Sequence, residues 1–249
     1  MSGHSKWSSI KHKKGAVDAK RGKLFSKLAR AIIVAARDGG GDPENNATLA
    51  TAIQKARDVS MPKDNIQRAI DRGTGAGADG AAIERIHYEG YGPGGVAVLV
   101  EALSDNRNRA SAEIRFAFSS HGGSLGEPGS VAWIFEKKGA IVVDGERYGE
   151  DDVIVAIDAG AEDVREEDGT LRILCDPSDL TGVRQALEEA GVEIESAGLA
   201  TEPKSTVEVK GHEAEQLLKL LEALDDQDDV DEVFANFDIP EDVLEKLAA

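Results

Sequence analysis

The sequence predicts an α+β protein of several domains, and three observations lead to this fold class. Residues 17–73 carry apolar side chains at helical spacing. The glycine-rich stretch at 73–82 interrupts that pattern. From residue 84 to residue 237, runs rich in valine, isoleucine and leucine alternate with further helical segments. A chain of 249 residues is long enough for one to three domains with a sizeable core.

The amino-terminal helices are predicted to form a small bundle. The first begins near Val17 and ends at the glycines of positions 39–41. Leu49 and Ile53 share one face of the second helix, and Pro62 suits the first position of the third. Because the connections are short, the three helices should pack on one another as a three-helix bundle.

The glycine-rich stretch contains a formal match to G-x-G-x-x-G at Gly75, Gly77 and Gly80. In a dinucleotide-binding fold, a strand precedes this motif and a helix follows it. Here a helix precedes the motif and a predicted strand begins at Glu84, so the context is reversed. Residues 73–82 are therefore interpreted as a flexible linker.

Residues 139–201 show the clearest order of elements. Strands are predicted at 140–143, 162–166, 170–175 and 192–199, with helices at 151–159 and from a cap at Ser178 to Ala190. This β-α-β-β-α-β order is the order of a ferredoxin-like α+β domain.

The segments on either side of this unit complement each other. The first holds two strands and a helix from Ala110 to Ser120, with Ala112, Ile114 and Phe116 predicted to face inward. The second, beyond Pro203, adds two strands and a helix whose leucines face inward, and neither segment is complete alone. We therefore predict three domains, which are a basic helical bundle with an amino-terminal arm (1–78), a discontinuous α+β middle domain (79–131 plus 207–249) and an inserted ferredoxin-like domain (132–206).

Charge is distributed very unevenly along the chain. The formal net charge is −18, from 47 acidic and 29 basic residues. Residues 1–37 nevertheless hold ten lysines and arginines against a single acid, Asp18. A concentrated positive segment on an acidic body indicates binding to a polyanion, which would repel the acidic domains.

The arm and the first helix supply most of the candidate nucleic-acid contacts. Their cationic side chains can neutralise phosphates, and Trp7 can stack on a base. The alternatives are a solvated tail for the charges and, for Trp7, an anchor that packs on the bundle. The candidates are His4, Lys6, Trp7, Lys11, His12, Lys13, Lys14, Lys20, Arg21, Lys23, Lys27 and Arg30.

A second candidate is the loop that follows the second strand of the middle domain. Its residues Arg107, Asn108 and Arg109 can grip phosphate and read base edges. The alternative is that Asp105 or Asn106 caps the following helix and that an arginine pairs with a nearby acid. Capping explains the first two residues of the loop but not both arginines.

Other patterns argue against catalysis, metal binding and membrane insertion. The histidines lack i, i+4 spacing, and Cys175 is the single cysteine, so neither a metal site nor an intrachain disulfide is expected. The acidic run at 225–232 lacks the glycine of a calcium loop and is interpreted as a solvated helix end. No nucleophile–base pair or P-loop is found, so we expect no enzyme, no cofactor and no small-molecule substrate. With no signal peptide and no apolar run of membrane-spanning length, a cytoplasmic location is expected.

Four long motifs in the chain are distinctive. They are GHSKWSSIKHKK, DAKRGKLFSKLAR, GGGDPENNATLATAIQKARDVSMPKDNIQRAI and YEGYGPGGVAVLVEALSDNRNRASAEIRFAFSSHGGSLGEPGSVAWIFEKKG. Together these motifs resemble the YebC family. The resemblance covers the whole chain and is densest over residues 2–139. It implies a helical bundle first and a ferredoxin-like domain inserted into the middle domain. One departure is Ala31, where the family often has an acidic residue, and it slightly raises the charge of the helix.

The resemblance implies a cytoplasmic, nucleic-acid-associated regulator of gene expression, with two hypotheses for its target. Bacterial members are usually labelled DNA-binding transcriptional regulators, whereas organellar relatives act as translational activators and some bacterial relatives act on stalled ribosomes. The partner would accordingly be DNA and the transcription machinery, or ribosomal RNA and the ribosome. The sequence has no helix-turn-helix signature, and a lysine-rich arm with interleaved tryptophan and histidine suits folded RNA. A nuclease and a protein-only adaptor also stay open.

Overall fold

A computed structural model of the chain describes residues 19–75, 82–167 and 169–239, without the side chains of residues 19–21 and 167. Within these ranges the fold is mixed α+β, with seven α-helices and two four-stranded sheets, which confirms the predicted fold class. The chain divides into two compact units. Of the described residues, those between 19 and 131 and those at 211–233 form the larger unit, and those between 132 and 210 and at 234–239 form the second, which we call the acidic unit. The division into three domains stays a prediction.

The described part of the chain begins with three helices. They are α1 (Ala19–Gly39), α2 (Ala47–Asp58) and α3 (Lys63–Gly73). Ile32, Leu49, Ile53 and Ile66 are buried where the helices meet, so the predicted inward positions of α2 and α3 are confirmed. Asn46 caps α2 by accepting a hydrogen bond from the Leu49 amide at 3.1 Å. The predicted bundle therefore forms from an ordinary apolar stripe on each helix.

Helices α1 and α3 approach each other closely at one glycine. A Cβ atom on Gly73 would lie 2.4 Å from the carbonyl oxygen of Ile33 and 2.7 Å from the Cβ of Ala36. Any side chain at this position would collide with α1, so the last turn of α3 requires glycine.

The remaining elements follow in chain order. They are β1 (Glu84–Tyr91), β2 (Ala97–Ser104), α4 (Arg107–Ser120), β3 (Ser124–Leu125), β4 (Phe135–Asp144), α5 (Val155–Asp158), β5 (Ala161–Glu167), β6 (Thr170–Cys175), α6 (Leu180–Glu189), β7 (Ile194–Pro203), β8 (Val207–Glu208), α7 (Gly211–Asp225), β9 (Val230–Ala235) and β10 (Phe237–Asp238). The sequence also predicts a short helix from Pro240, and this segment lies outside the described residues.

In the larger unit, α4 and α7 pack beside a sheet with strand order β3-β1-β2-β9. Strand β2 is buried along most of its length because it lies inside the sheet and under a helix. The leucines of α7 at 217, 220, 221 and 224 are buried, as the helical spacing predicts.

The predicted inward face of α4 is confirmed at Ile114 and wrong at Ala112 and Phe116. These two residues are exposed, and the buried residues are Ala110, Ile114, Ala117 and Phe118. The side chain of Phe118 occupies space left by Gly90 of β1, where a Cβ atom would lie 2.7 Å from the ring. Because Phe118 fills the core, Phe116 points away from it with 69% of its surface exposed.

The acidic unit contains a sheet with strand order β5-β6-β4-β7, in which β4 pairs antiparallel with both β6 and β7. This is the strand order of a ferredoxin-like fold, with a core that includes Ile141, Ile173 and Leu187. Two local predictions are wrong. The helix expected at 151–159 is only the single turn of α5, and Ser178 does not cap α6 because its hydroxyl donates to Asp176 at 2.6 Å.

Candidate nucleic-acid interface

The predicted nucleic-acid contacts fall into three groups. The contacts at the amino terminus, which are His4, Lys6, Trp7, Lys11, His12, Lys13 and Lys14, lie outside the described residues. Lys20 and Arg21 lie in the first turn of α1, and their side chains are not described. Lys23, Lys27 and Arg30 follow on α1, and Arg107, Asn108 and Arg109 form the first turn of α4.

Lys23, Lys27 and Arg30 of α1 lie against an acidic segment of the same unit. This segment comprises residues 225–232, which end α7 and begin β9. Lys27 donates a hydrogen bond to the carbonyl oxygen of Asp225, and Arg30 donates one to the carbonyl oxygen of Asp228. The amino group of Lys23 lies 3.6 Å from the carboxylate of Asp228. The spacing i, i+4, i+7 places all three cations on one face of the helix.

Asp229 is the centre of this contact. Its side chain is only 2% exposed, and its carboxylate lies 3.2 Å from the guanidinium of Arg30 and 2.8 Å from that of Arg109. The hydroxyl of Ser104 donates to the same carboxylate at 2.8 Å. A buried charge is tolerated when it is paired and hydrogen-bonded in this way. Asp229 therefore joins α1, β2 and α4.

The first turn of α4 combines a helix cap with an ion pair. The side chain of Asn106 accepts a hydrogen bond from the Arg109 amide at 3.1 Å, as an N-cap residue does. Arg109 also pairs with Asp105 at 3.0 Å. Hydrogen bonds to Asp229 and then to Asp105 raise the pKa of the Arg109 guanidinium above its ordinary value. Capping and pairing thus account for three residues of this loop.

The two residues that remain in this loop face solvent. Arg107 and Asn108 are exposed, and neither side chain forms an ion pair with any residue that the structure describes. The carbonyl oxygen of Arg107 accepts a hydrogen bond from the Tyr88 hydroxyl at 3.2 Å, which fixes the backbone of this turn. The backbone of this turn is therefore fixed, and both side chains are exposed to a ligand.

A second charged cluster lies on the other side of the acidic segment. Lys55 of α2 pairs with Glu232 at 2.8 Å, and Arg85 pairs with Glu101. Beside them, Asp231 is partly buried, and this burial, together with the charges of Glu232 and Glu101, raises its pKa to about 6. The cluster thus holds more carboxylates than its cations fully neutralise.

No group of three histidine, cysteine or carboxylate side chains within the described ranges could hold a metal ion. None of the helices in these ranges is both long enough and apolar enough to cross a membrane.

Two exposed residues of α4 were missed by the sequence reasoning. Arg115 and Phe116 lie on the solvent side of the helix, two turns beyond Asn108. Phe116 was assigned to the core by the i, i+4 spacing with Ala112, and Arg115 was not considered. The sequence does contain a signal against this assignment, because Ala110, Ile114, Ala117 and Phe118 follow the i, i+4, i+7, i+8 spacing of a buried helix face and Phe116 does not.

Two family models match the chain. The model described as the TACO1/YebC protein N-terminal domain matches residues 5–76. The model described as the TACO1/YebC second and third domain matches residues 83–237. Together they span all but a few residues at the termini and in the linker.

Similar proteins extend over the full length. A protein of Rubrobacter xylanophilus named probable transcriptional regulatory protein is 59% identical over 249 residues, covering 100% of both chains. A protein of Dictyoglomus turgidum with the same name is 52% identical over 250 residues, again covering 100% of both. The crystal structure of a conserved hypothetical protein from Aquifex aeolicus is similar with a TM-score of 0.80 and 49% identity, covering 94% of this chain and 97% of that one.

Proposed function

Because the chain belongs to the TACO1/YebC family, we propose that it is a regulator of gene expression that binds nucleic acid and catalyses no reaction. Its relatives carry the name probable transcriptional regulatory protein. The observation that carries the binding proposal is the concentration of ten cations in residues 1–37 of a chain with a net charge of −18. A cytoplasmic location is part of this proposal.

The proposed contacts divide between the arm and α4. Cations from His4 to Arg21 would neutralise phosphates, and Arg107 and Asn108 would extend the contact because both are exposed at the first turn of α4. Lys27 and Arg30 would have to give up their hydrogen bonds to the acidic segment before they could bind phosphate. We therefore assign these two side chains to the attachment of α1.

The acidic residues would orient the complex. Residues 132–206 hold 19 acids against 7 basic residues, so phosphate would repel this part of the chain. Repulsion on one part and attraction on another favour a single orientation on a polyanion. The acidic surface would then face away from the nucleic acid, toward protein partners.

The first candidate target is duplex DNA, which agrees with the names of the relatives. A second candidate is ribosomal RNA, with a role in translation, and one observation favours it. Phe116 is an exposed aromatic side chain on the same helix as Arg107, and unpaired bases of folded RNA stack on such side chains.

Crosslinking and sequencing in cells would test the proposal and separate the two targets. The parent chain is compared with the Lys11→Glu, Lys13→Glu, Lys14→Glu variant, and the recovered nucleic acid is identified as ribosomal RNA or promoter DNA. We expect the triple variant to recover at least tenfold less, because it removes three phosphate contacts.

A matched control reverses three exposed cations of α3, with Lys63→Glu, Arg68→Glu and Arg72→Glu. It changes the net charge equally and should retain most of the crosslinking. Equal recovery by the parent and the arm variant would contradict the proposal. An equal loss in both variants would show that overall charge, and not the arm, determines binding.

A further inference from the structure

We propose that the solvent face of α4, centred on Phe116, binds an unpaired nucleotide of single-stranded RNA, with the base stacked on the Phe116 ring. The inference rests on the proposed function and names the class of nucleic acid that this helix recognises. The face comprises Asn108, Ala112, Arg115, Phe116 and Ser119.

Phe116 is the least expected member of this face. Ala110, Ile114, Ala117 and Phe118 are buried and form the core side of α4, so the fold does not need a second aromatic residue on the helix. The side chain of Phe116 is nevertheless 69% exposed. Exposure of a large apolar ring forgoes the stabilisation that burial would give, so a ligand offers a physical reason for its presence.

The neighbours of Phe116 leave its ring accessible. Residues three and four positions away are its neighbours on the helix surface, and they are Ala112, Glu113, Ser119 and Ser120. Glu113 is partly buried, whereas the other three are small and exposed, and the hydroxyl of Ser119 donates to the carbonyl oxygen of Phe116 at 3.1 Å. A flat base can therefore approach the ring over the three small neighbours.

The charge beside the ring suits a phosphate. Arg115 lies along one edge of the face, is exposed and forms no ion pair within the described ranges. The acid of this helix, Glu113, lies on the other edge and is partly buried. Asn108 lies on the same face eight residues before Phe116, which places it about 12 Å away along the helix axis. At about 100° per residue, Arg115 and Asn108 lie on the same side of Phe116, and Glu113 lies on the opposite side. The ring and these two side chains together offer stacking, charge neutralisation and hydrogen bonding to one short strand.

This arrangement favours a single strand over a duplex. In a duplex the bases are stacked on one another, so the faces that a ring can contact are already covered. In a single strand each base has a free face, and an aromatic platform binds it with little dependence on sequence. A protein partner would instead use the apolar bulk of Phe116 and would not require an aromatic ring.

Fluorescence anisotropy with the full-length chain tests the proposal. The probes are a 12-nucleotide RNA that carries 2-aminopurine, DNA of the same sequence, and the corresponding DNA duplex. The variants are Phe116→Ala, Phe116→Leu, Phe116→Tyr and Arg115→Gln. Leu199→Ala is the matched control, since Leu199 is an equally exposed apolar residue of the acidic unit, at 67%.

We expect Phe116→Ala and Phe116→Leu to weaken binding of the RNA by roughly 5- to 100-fold, as loss of one stacked base does. Phe116→Tyr should bind like the parent, Arg115→Gln should reduce the salt dependence, and Leu199→Ala should have no effect. The quenching of 2-aminopurine by the parent should disappear with Phe116→Leu. If single-stranded DNA binds as tightly as RNA, and Phe116→Leu weakens both to the same extent, the site binds any single strand. The assignment to RNA would then be wrong.

Failure of this inference differs from failure of the proposed function. If the parent binds the RNA, the arm variant does not, and Phe116→Leu binds like the parent, the α4 site is excluded while the arm remains. If the parent binds none of the three probes, both proposals are overturned. If Phe116→Leu changes only the capture of proteins, the face is a protein-binding surface and the inference is wrong.

Discussion

Two helices of the larger unit carry cations, and these cations have different surroundings on each helix. On α1, Lys27 and Arg30 donate hydrogen bonds to the acidic segment at 225–232. On α4, Arg107 and Arg115 are exposed and form no ion pair with a described residue. The two helices look equally suited to nucleic acid in the sequence. The difference shows that a count of charges overestimates a binding surface unless the carboxylate partners are known.

The carboxylates of the acidic segment also differ from one another, because they have different partners. Asp229 is surrounded by Arg30, Arg109 and Ser104, which compensate its burial. Two residues later, Asp231 is partly buried and lies beside Glu232 and Glu101, and both its burial and these charges oppose its ionisation. Two carboxylates of the same short segment therefore make opposite contributions to stability.

The largest expected effect comes from removing the carboxylate that pairs with α1. Asp229→Ala would leave Arg30 and Arg109 without their shared partner, at a cost of about 2–4 kcal/mol in the free energy of unfolding. Urea denaturation followed by circular dichroism measures this cost. The control is Asp228→Ala, whose side chain is 59% exposed and should cost under about 0.5 kcal/mol. Equal losses in the two variants would contradict the central role of Asp229.

A smaller effect of opposite sign is expected at Asp231. Its pKa is raised to about 6 in the folded protein, so the unfolded chain ionises first as pH rises above about 4. The parent should therefore lose stability between pH 4 and pH 6. Because asparagine cannot ionise, Asp231→Asn should be more stable than the parent by about 1–3 kcal/mol at pH 7.5 and equal to it near pH 4.

Thermal unfolding of this variant at the two pH values provides the measurement. Asp226→Asn, which removes an exposed carboxylate from the same segment, should show no such dependence. A variant that is less stable than the parent at pH 7.5 would mean that Lys55 and Arg85 outweigh the burial and repulsion of Asp231.

The smallest effects separate the two helices directly. Arg30→Gln should cost about 1–2 kcal/mol of stability, since it leaves a buried carboxylate with fewer donors, and should leave nucleic-acid affinity almost unchanged. Arg115→Gln should leave stability unchanged and reduce the slope of log affinity against log salt by about 1. Salt titrations and urea curves on both variants test the comparison, which fails if the two substitutions have the same pattern of effects.

The sequence predicts local structure in this protein better than it predicts contacts. The bundle core of Leu49, Ile53 and Ile66 and the leucines of α7 follow helical spacing, because one face of each helix is apolar. On α4 the buried residues Ala110, Ile114, Ala117 and Phe118 also have helical spacing, but the prediction followed Ala112 and Phe116 instead. The spacing does not contain the contact of Phe118 with Gly90, which lies far from α4 in the sequence.

The contacts of the candidate site were even harder to predict from the sequence than those of the core. The cationic face of α1 could be read from the spacing of Lys23, Lys27 and Arg30. The residues that neutralise this face, such as Asp229, lie almost 200 positions later, where the acidic run was interpreted as a solvated helix end. Only the fold brings the two together. The exposed pair of Arg115 and Phe116 was missed for a different reason, because the prediction assigned the wrong face of α4 to the core.

Photo-crosslinking of the purified chain to RNA that contains 4-thiouridine, with mass spectrometry of the adducts, tests the central claim most directly. The account predicts adducts in the arm before residue 22 and in α4 between Arg107 and Ser120, and none from Lys23 to Arg37. Adducts concentrated between Lys23 and Arg30 would contradict it, because α1 would then have to release the acidic segment to bind nucleic acid.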